Sequence, residues 1–167
     1  MIVTASTAIA MQGACVALAI SALTAGWFDA RYRRIPNWLC VATGGVGLAY
    51  ALWLSGAGAW SNGLHSLIAL IVGMVLFRMG IFGGGDAKYY TAVATWFALG
   101  QAVLLLLAVT LSGLALLVVW FTARRLAGIP IRRRPGGGMD GLPYGIAIGA
   151  GAVISAVYIL PSASQVI

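Results

Sequence analysis

Residues 80–90 read GIFGGGDAKYY, with one apolar run before them, Gly63–Phe77, and another after, Thr91–Leu99. Three glycines and one acid occupy the seam. The acid stands out because the 167-residue chain has no Glu and only three Asp: Asp29, Asp86 and Asp140. The chain around it is 62% hydrophobic and 8% charged, too little polar surface to cover a water-soluble domain. Lipid is therefore the solvent for most of it, and a helix that spans lipid needs about 20 apolar residues.

Six runs approach that length: Thr7–Phe28, Trp38–Leu54, Gly63–Gly80, Tyr89–Leu99, Ala102–Ala123 and Tyr144–Leu160. The fourth is short and borrows from the GGGDAK segment if it is to cross. Short connections join the runs, so residues 1–167 read as a single all-α, polytopic membrane domain of six helices. Ten-residue apolar/polar alternation, the mark of a spanning β-barrel, is missing.

Charge orients the bundle. All ten basic residues fall in odd-numbered loops: Arg31, Arg33 and Arg34 in the first, Arg78 and Lys88 in the third, Arg124, Arg125, Arg132, Arg133 and Arg134 in the fifth. By the positive-inside rule those loops are cytoplasmic and both termini lie outside. The net charge of +7 then reflects lipid headgroups at the inner surface, with no need of nucleic acid. No Lys or Arg precedes Arg31, so the first run reads as a retained span and not as a secretory signal. Cys15 and Cys40 belong to different depths, which speaks against a disulfide. His65, toward the outer end of the third run, reads as a polar packing residue.

Asp29 ends the first run and Asp86 opens the fourth. Two crossings separate them, an even number, so both carboxyls return to the same face. A charge at the bilayer centre costs roughly 2.5–3.5 kcal/mol and less near the interface. Two neighbouring acids repel, and one then keeps its proton. Such a pair can hydrolyse an amide: the ionised member takes a proton from water while the neutral one protonates the carbonyl oxygen. A plainer reading pairs Asp29 with Arg31 or Arg33 and makes Asp86 a helix cap. Gly83, Gly84 and Gly85 bring no Cβ, permit positive φ and admit another backbone, such as an extended peptide. The segment is not a phosphate loop, which needs GxxxxGK followed by Ser or Thr. Pro36 and Asn37 suit the start of the second helix, with Asn37 as its cap. Lys88 stands where it steadies Asp86 or meets a lipid phosphate, and Asp140 reads as an exposed charge or the cap of the sixth helix.

Gly83-Gly84-Gly85-Asp86 fits the GxGD signature of membrane-embedded aspartic peptidases, and its extension Ala87-Lys88 resembles the GDxK of type IV prepilin peptidases. Asp29, followed by Arg31, Arg34 and Ile35-Pro36-Asn37, resembles the other half of that family's site. So does Leu142-Pro143-Tyr144-Gly145, which opens the last helix. The ordered set covers nearly the whole chain. It implies an endopeptidase that removes the basic leader from prepilins and pseudopilins at the cytoplasmic face of the bacterial inner membrane. Asp29 and Asp86 would be catalytic. Gly83, Gly84, Gly85 and Lys88 would line the substrate's path, and Arg31, Arg34, Pro36, Asn37, Pro143 and Gly145 would shape the surroundings. The implied partners are prepilin substrates and membrane lipids; no metal, organic cofactor or nucleic acid is implied. The first loop is short and lacks the paired cysteines of longer members, many of which also methylate the new N-terminus. The chain therefore looks like the short form that serves Flp-type (tight adherence) pili, and the case for methyltransferase activity lapses. On the residues alone two alternatives stay open: a GxGD peptidase for other membrane segments, and a small transporter or channel whose acids bind a cation. Acids at one face, away from the midplane, weigh against the transporter.

Overall fold

The computed structural model describes residues 5–128, 133–134, 138–139 and 143–163. All six expected helices form: α1 (Ala5–Tyr32), α2 (Asn37–Ser55), α3 (Trp60–Arg78), α4 (Gly84–Ala94), α5 (Ala102–Leu126) and α6 (Tyr144–Ala163). Single 3-10 turns, Gly56–Ala59 and Leu99–Gln101, link α2 to α3 and lead into α5. Between α5 and α6, β1 (Arg133–Arg134) pairs antiparallel with β2 (Gly138–Met139). Three stretches are long and apolar enough to cross a membrane: Ile9–Tyr32, Asn37–Arg78, which holds both α2 and α3, and Leu99–Leu126. Tyr144–Tyr158 is a shorter apolar helix. Side chains such as Leu23, Val41, Val72, Val103 and Leu111 stand exposed on the outside, as lipid-facing residues do.

The helices sort into two groups of three. In one, α6 packs between α1 and α5; in the other, α4 packs between α2 and α3. The groups meet where α4 touches α6 and α1 touches α2. With no water to expel, helices in lipid associate by close packing, which favours small residues at the contacts. A Cβ on Gly149 would lie 3.0 Å from Ala22 Cα, and one on Gly151 only 2.5 Å from Val109 Cα. Gly47 leaves room for Thr95 and Trp96, and Gly73 for Ala87.

The contacts also give direction. Gly73 faces Ala87, Ser66 bonds Thr91 O and Asn62 bonds Thr95 O, so α3 and α4 are antiparallel. Ile35 meets Gly85 and Gly44 meets Ala92, so α2 and α4 are parallel. Gly26 meets Ile146 and Gly149 meets Ala22, while Gly113 meets Tyr144 and Gly151 meets Val109; α6 is antiparallel to both neighbours. The end of α1 and the beginnings of α2, α4 and α6 thus gather at one end of the bundle.

The fourth element differs from the expected Tyr89–Leu99. It starts at Gly84 and stops at Ala94. Eleven residues make about 16 Å of helix at 1.5 Å per residue, half of a hydrocarbon layer about 30 Å thick. Its C-terminal carbonyls therefore end amid buried side chains, where unpaired backbone groups cost several kcal/mol each. Side chains of α3 meet that demand: Ser66 Oγ donates to Thr91 O at 3.0 Å, Asn62 Nδ2 to Thr95 O at 3.0 Å, and His65 Nδ1 to Phe97 O at 2.9 Å. A carbonyl only accepts, so His65 carries its proton on Nδ1. Trp96 Nε1 donates to Thr43 O at 3.0 Å, tying the same turn to α2.

The seating of α6 on α5 is testable. Gly151→Ala drives a methyl into the Val109 backbone, and overpacking of this kind costs about 1–3 kcal/mol. Its melting temperature in detergent should drop, whereas Gly45→Ala, whose new carbon meets nothing within 4 Å, should not lower it. Equal melting temperatures for the two variants would contradict this seating.

Candidate active site

α1 ends by a left-handed residue. Arg33 has φ 54°, and its N–H donates to Asp29 O at 2.9 Å, which places Asp29 in the last helical turn. Arg31 and Arg34 are exposed; Arg34 borders a shallow pocket with Phe28, Tyr32, Ile35, Pro36 and Asn37. Pro36 is the cap position of α2, at φ −63° and ψ 141°, and its carbonyl accepts from the N–H groups of Leu39 and Cys40. Asn37 does not cap the helix, contrary to expectation. It is the first helical residue, and its Oδ1 accepts from Lys88 Nζ at 3.2 Å. That bond uses one of the three donors of the Lys88 ammonium.

The three glycines likewise differ from a free loop. Gly83 is the cap of α4 at φ −72°, and Gly84, Gly85 and Asp86 form its first turn. None has positive φ; among the described glycines that conformation occurs at Gly56, Gly80 and Gly128, and Gly80 follows the end of α3. What matters at the three is the missing Cβ. At Gly83 it would lie 2.6 Å from Asp86 Oδ2, at Gly84 3.2 Å from the Phe77 ring, and at Gly85 3.5 Å from Ile35 N. The backbone that approaches Gly85 is the protein's own α1–α2 connection.

The third wall is the start of α6. Pro143 is buried, and its carbonyl accepts from Ile146 N–H at 3.1 Å. Gly145 N–H donates to Asp29 Oδ2 at 2.7 Å. First-turn N–H groups lack intrahelical partners and sit at the positive end of the helix, so this donor suits a carboxylate. A Cβ on Gly145 would come within 3.0 Å of both Asp29 Oδ2 and Ile35 Cδ1. Ile35 thus lies between Gly145 and Gly85, and the three join the two acids' surroundings.

Asp29 is 7% exposed, with Arg33 acting on it through space. Asp86 is half-buried, and its carboxyl is pushed up to about 6, first by burial and then by the charge of Asp29. Two carboxyls close enough to feel each other can serve as a general base and a general acid when one of them holds a proton. An apolar cavity of about 140 Å³ opens among α3, α4, α5 and α6, walled by Phe82, Ala87, Tyr90 and Tyr144; neither acid lines it. The Phe82 and Tyr144 rings meet edge to face at 5.4 Å. Ile35 and Tyr144 entered the sequence reading only as members of the IPN and LPYG motifs, and Phe82 had no chemistry to mark it. Asp140 and Leu142 lie outside the described residues.

Comparison with curated proteins and with solved structures returned no significant match. The profile of the type IV leader peptidase family matches residues 16–118, which include both acids, all of α4 and the C-terminal part of α1. That match spans more than half of the sequence, and the chain belongs to the type IV leader peptidase family.

Proposed function

We propose that this membrane peptidase is an aspartic endopeptidase that cuts the leader from prepilins or pseudopilins at the cytoplasmic face of the bacterial inner membrane. The observation that carries this reading is the meeting of Asp29 and Asp86 from separate helix groups at the bundle's basic end, with the charge of one felt by the other. Six crossings with both termini outside agree with the alternating helix directions and with basic residues confined to odd loops. The apolar cavity lined in part by Ala87, the residue after Asp86, supports a substrate whose cleavage site adjoins an apolar helix.

The reaction is balanced. Asp29, ionised and held by Gly145 N–H, takes a proton from water as the water oxygen attacks the scissile carbonyl carbon. Asp86, neutral, gives its proton to the carbonyl oxygen, and a gem-diol forms. On collapse the proton on Asp29 passes to the leaving nitrogen, the C–N bond breaks, and Asp86 recovers a proton from a diol hydroxyl. Both acids end as they began.

Asp29→Asn and Asp86→Asn should each remove nearly all cleavage of a prepilin incubated with the purified enzyme. The double variant should be little worse than either, because the two serve one step. Robust cleavage by either single variant would sink the mechanism. The pH profile gives a second check. Asp86 must be protonated to act, so kcat/KM should fall as pH rises through about 6, and fall again in acid once both carboxyls are neutral.

The glycines separate chemistry from packing. The added carbon of Gly83→Ala meets only the movable Asp86 carboxyl, so it should turn that group and cut kcat while the melting temperature holds. Gly85→Ala makes an ordinary contact with Ile35 and should stay active. Full activity in Gly83→Ala would show that the orientation of Asp86 is not critical.

A further inference from the structure

The acids belong to different helix groups, Asp29 to that of α1, α5 and α6, Asp86 to that of α2, α3 and α4. α1 and α4 pack mainly through their neighbours, so their spacing depends on how the groups seat on each other. Much of that seam is apolar, and apolar contact has no preferred direction. Among the described residues, a polar cluster crosses it. Ser21 Oγ on α1 lies 2.6 Å from Thr43 Oγ1 on α2 and 3.1 Å from the Tyr89 hydroxyl on α4. All three are buried, Tyr89 at 0% exposure. Among the described residues, the Ser21–Tyr89 contact is the one side-chain hydrogen bond joining α1 directly to α4.

We propose that Tyr89, through its hydroxyl bond to Ser21, is a positioning residue that sets the spacing of Asp29 and Asp86. The proposal rests on the aspartic reading above. Ser21 precedes Asp29 by about two helical turns, roughly 12 Å along the axis, so the cluster acts on the acids through the helices and not by contact. Tyr89 follows Asp86 by three residues, within the same turn of α4. Phe would bury the same ring among Val93, Phe97 and their neighbours, so packing alone gives the hydroxyl no purpose. Both carboxyls must reach one water and one carbonyl, and a misplacement of about 1 Å costs on the order of 100-fold in rate.

The charged groups at this end leave the coupling readable. Asp29 acts on Asp86, Arg33 acts on Asp29, Lys88 is bonded to Asn37, Arg78 ends α3, and α6 contributes the uncharged Tyr144 and Gly145.

The test compares Tyr89→Phe, Ser21→Ala, Ser21→Thr and Asp86→Asn in one prepilin cleavage assay, with melting temperatures recorded. Tyr89→Phe and Ser21→Ala should lower kcat about 10-fold or more with KM little changed. The alkaline limb of kcat/KM, near pH 6, should move to lower pH, since Asp86 then lies farther from the charge of Asp29. The double variant should be no worse than the worse single one, because both remove the Ser21–Tyr89 bond, and Ser21→Thr should restore activity. Should Tyr89→Phe fold poorly, Ser21→Ala carries the same readouts. An unmoved alkaline limb in both variants, with kcat intact or with a loss confined to stability, overturns the proposal. If Asp86→Asn is inactive in that experiment, the aspartic reading survives it; if Asp86→Asn cleaves, that reading has failed instead.

Discussion

An eleven-residue helix is too short to cross a bilayer on its own, and the rest of the bundle is arranged around that shortfall in α4. Its first turn has to stand at the basic end, where Asp86 belongs, so its last turn ends in the apolar interior with carbonyls and no helix to receive them. The polar residues of α3 answer this. Asn62, His65 and Ser66 recur along one face of α3, and each reaches a carbonyl in or just after the last turns of α4. From the other side α2 supplies the Gly44 and Thr43 carbonyls to the Thr95 hydroxyl and the Trp96 indole. The short helix is thereby gripped along its length by two long ones, and the acid at its head inherits their rigidity.

The same end of the bundle settles how a chain this apolar keeps two carboxyls. Both stand near a helix end, Asp29 in the last turn of α1 and Asp86 in the first turn of α4, and not midway along a helix. Asp29 is the more enclosed, yet it has the N-terminus of α6 against it and a donated N–H at 2.7 Å. Asp86 has the start of its own helix beneath it, but burial and the neighbouring charge outweigh that dipole and leave it protonated up to about pH 6. The two environments differ although the side chains are identical. On the aspartic reading, such a difference is what acid–base catalysis at an amide requires.

Hydropathy made six helices legible because each lipid-facing stretch must be apolar whatever it packs against. Counting crossings likewise put Asp29 and Asp86 on one face without any knowledge of contacts. The errors cluster at helix ends. The expected α4 began five residues late and ran past Ala94, because its limits are drawn by Gly83 at one end and by α3 side chains at the other, not by hydropathy. The GGG run looked like conformational freedom, and the chain uses it as vacant space. Asn37 looked like a cap, and its partner, Lys88, is distant in sequence. Gly145 was visible only through the resemblance of LPYG, since a backbone N–H that holds a carboxylate leaves no side-chain signature. Ser21 and Tyr89 were lost among apolar neighbours for a related reason: one hydroxyl in a span has no pattern until the helices facing it are known.

Two rigid groups with one acid each pose a problem that neither group can solve internally. Close packing at Gly149 and Gly151 locks α1 and α5 to α6, and the bonds to α4 lock α2 and α3 around it, but these fix distances within groups. Across the seam, interlocked side chains resist separation more than they resist sliding, because dispersion and apolar contact depend weakly on direction. On the aspartic reading, two carboxyls that serve one water tolerate little sliding. Directional contacts are needed, and they are found at two levels: Ile35 wedged between Gly145 and Gly85 beside the acids, and the hydroxyls of Ser21, Thr43 and Tyr89 deeper in the bundle. One level alone would permit the groups to pivot about it. Two levels, separated along the helix axes, fix the tilt as well as the distance, and the geometry of the acid pair follows from both.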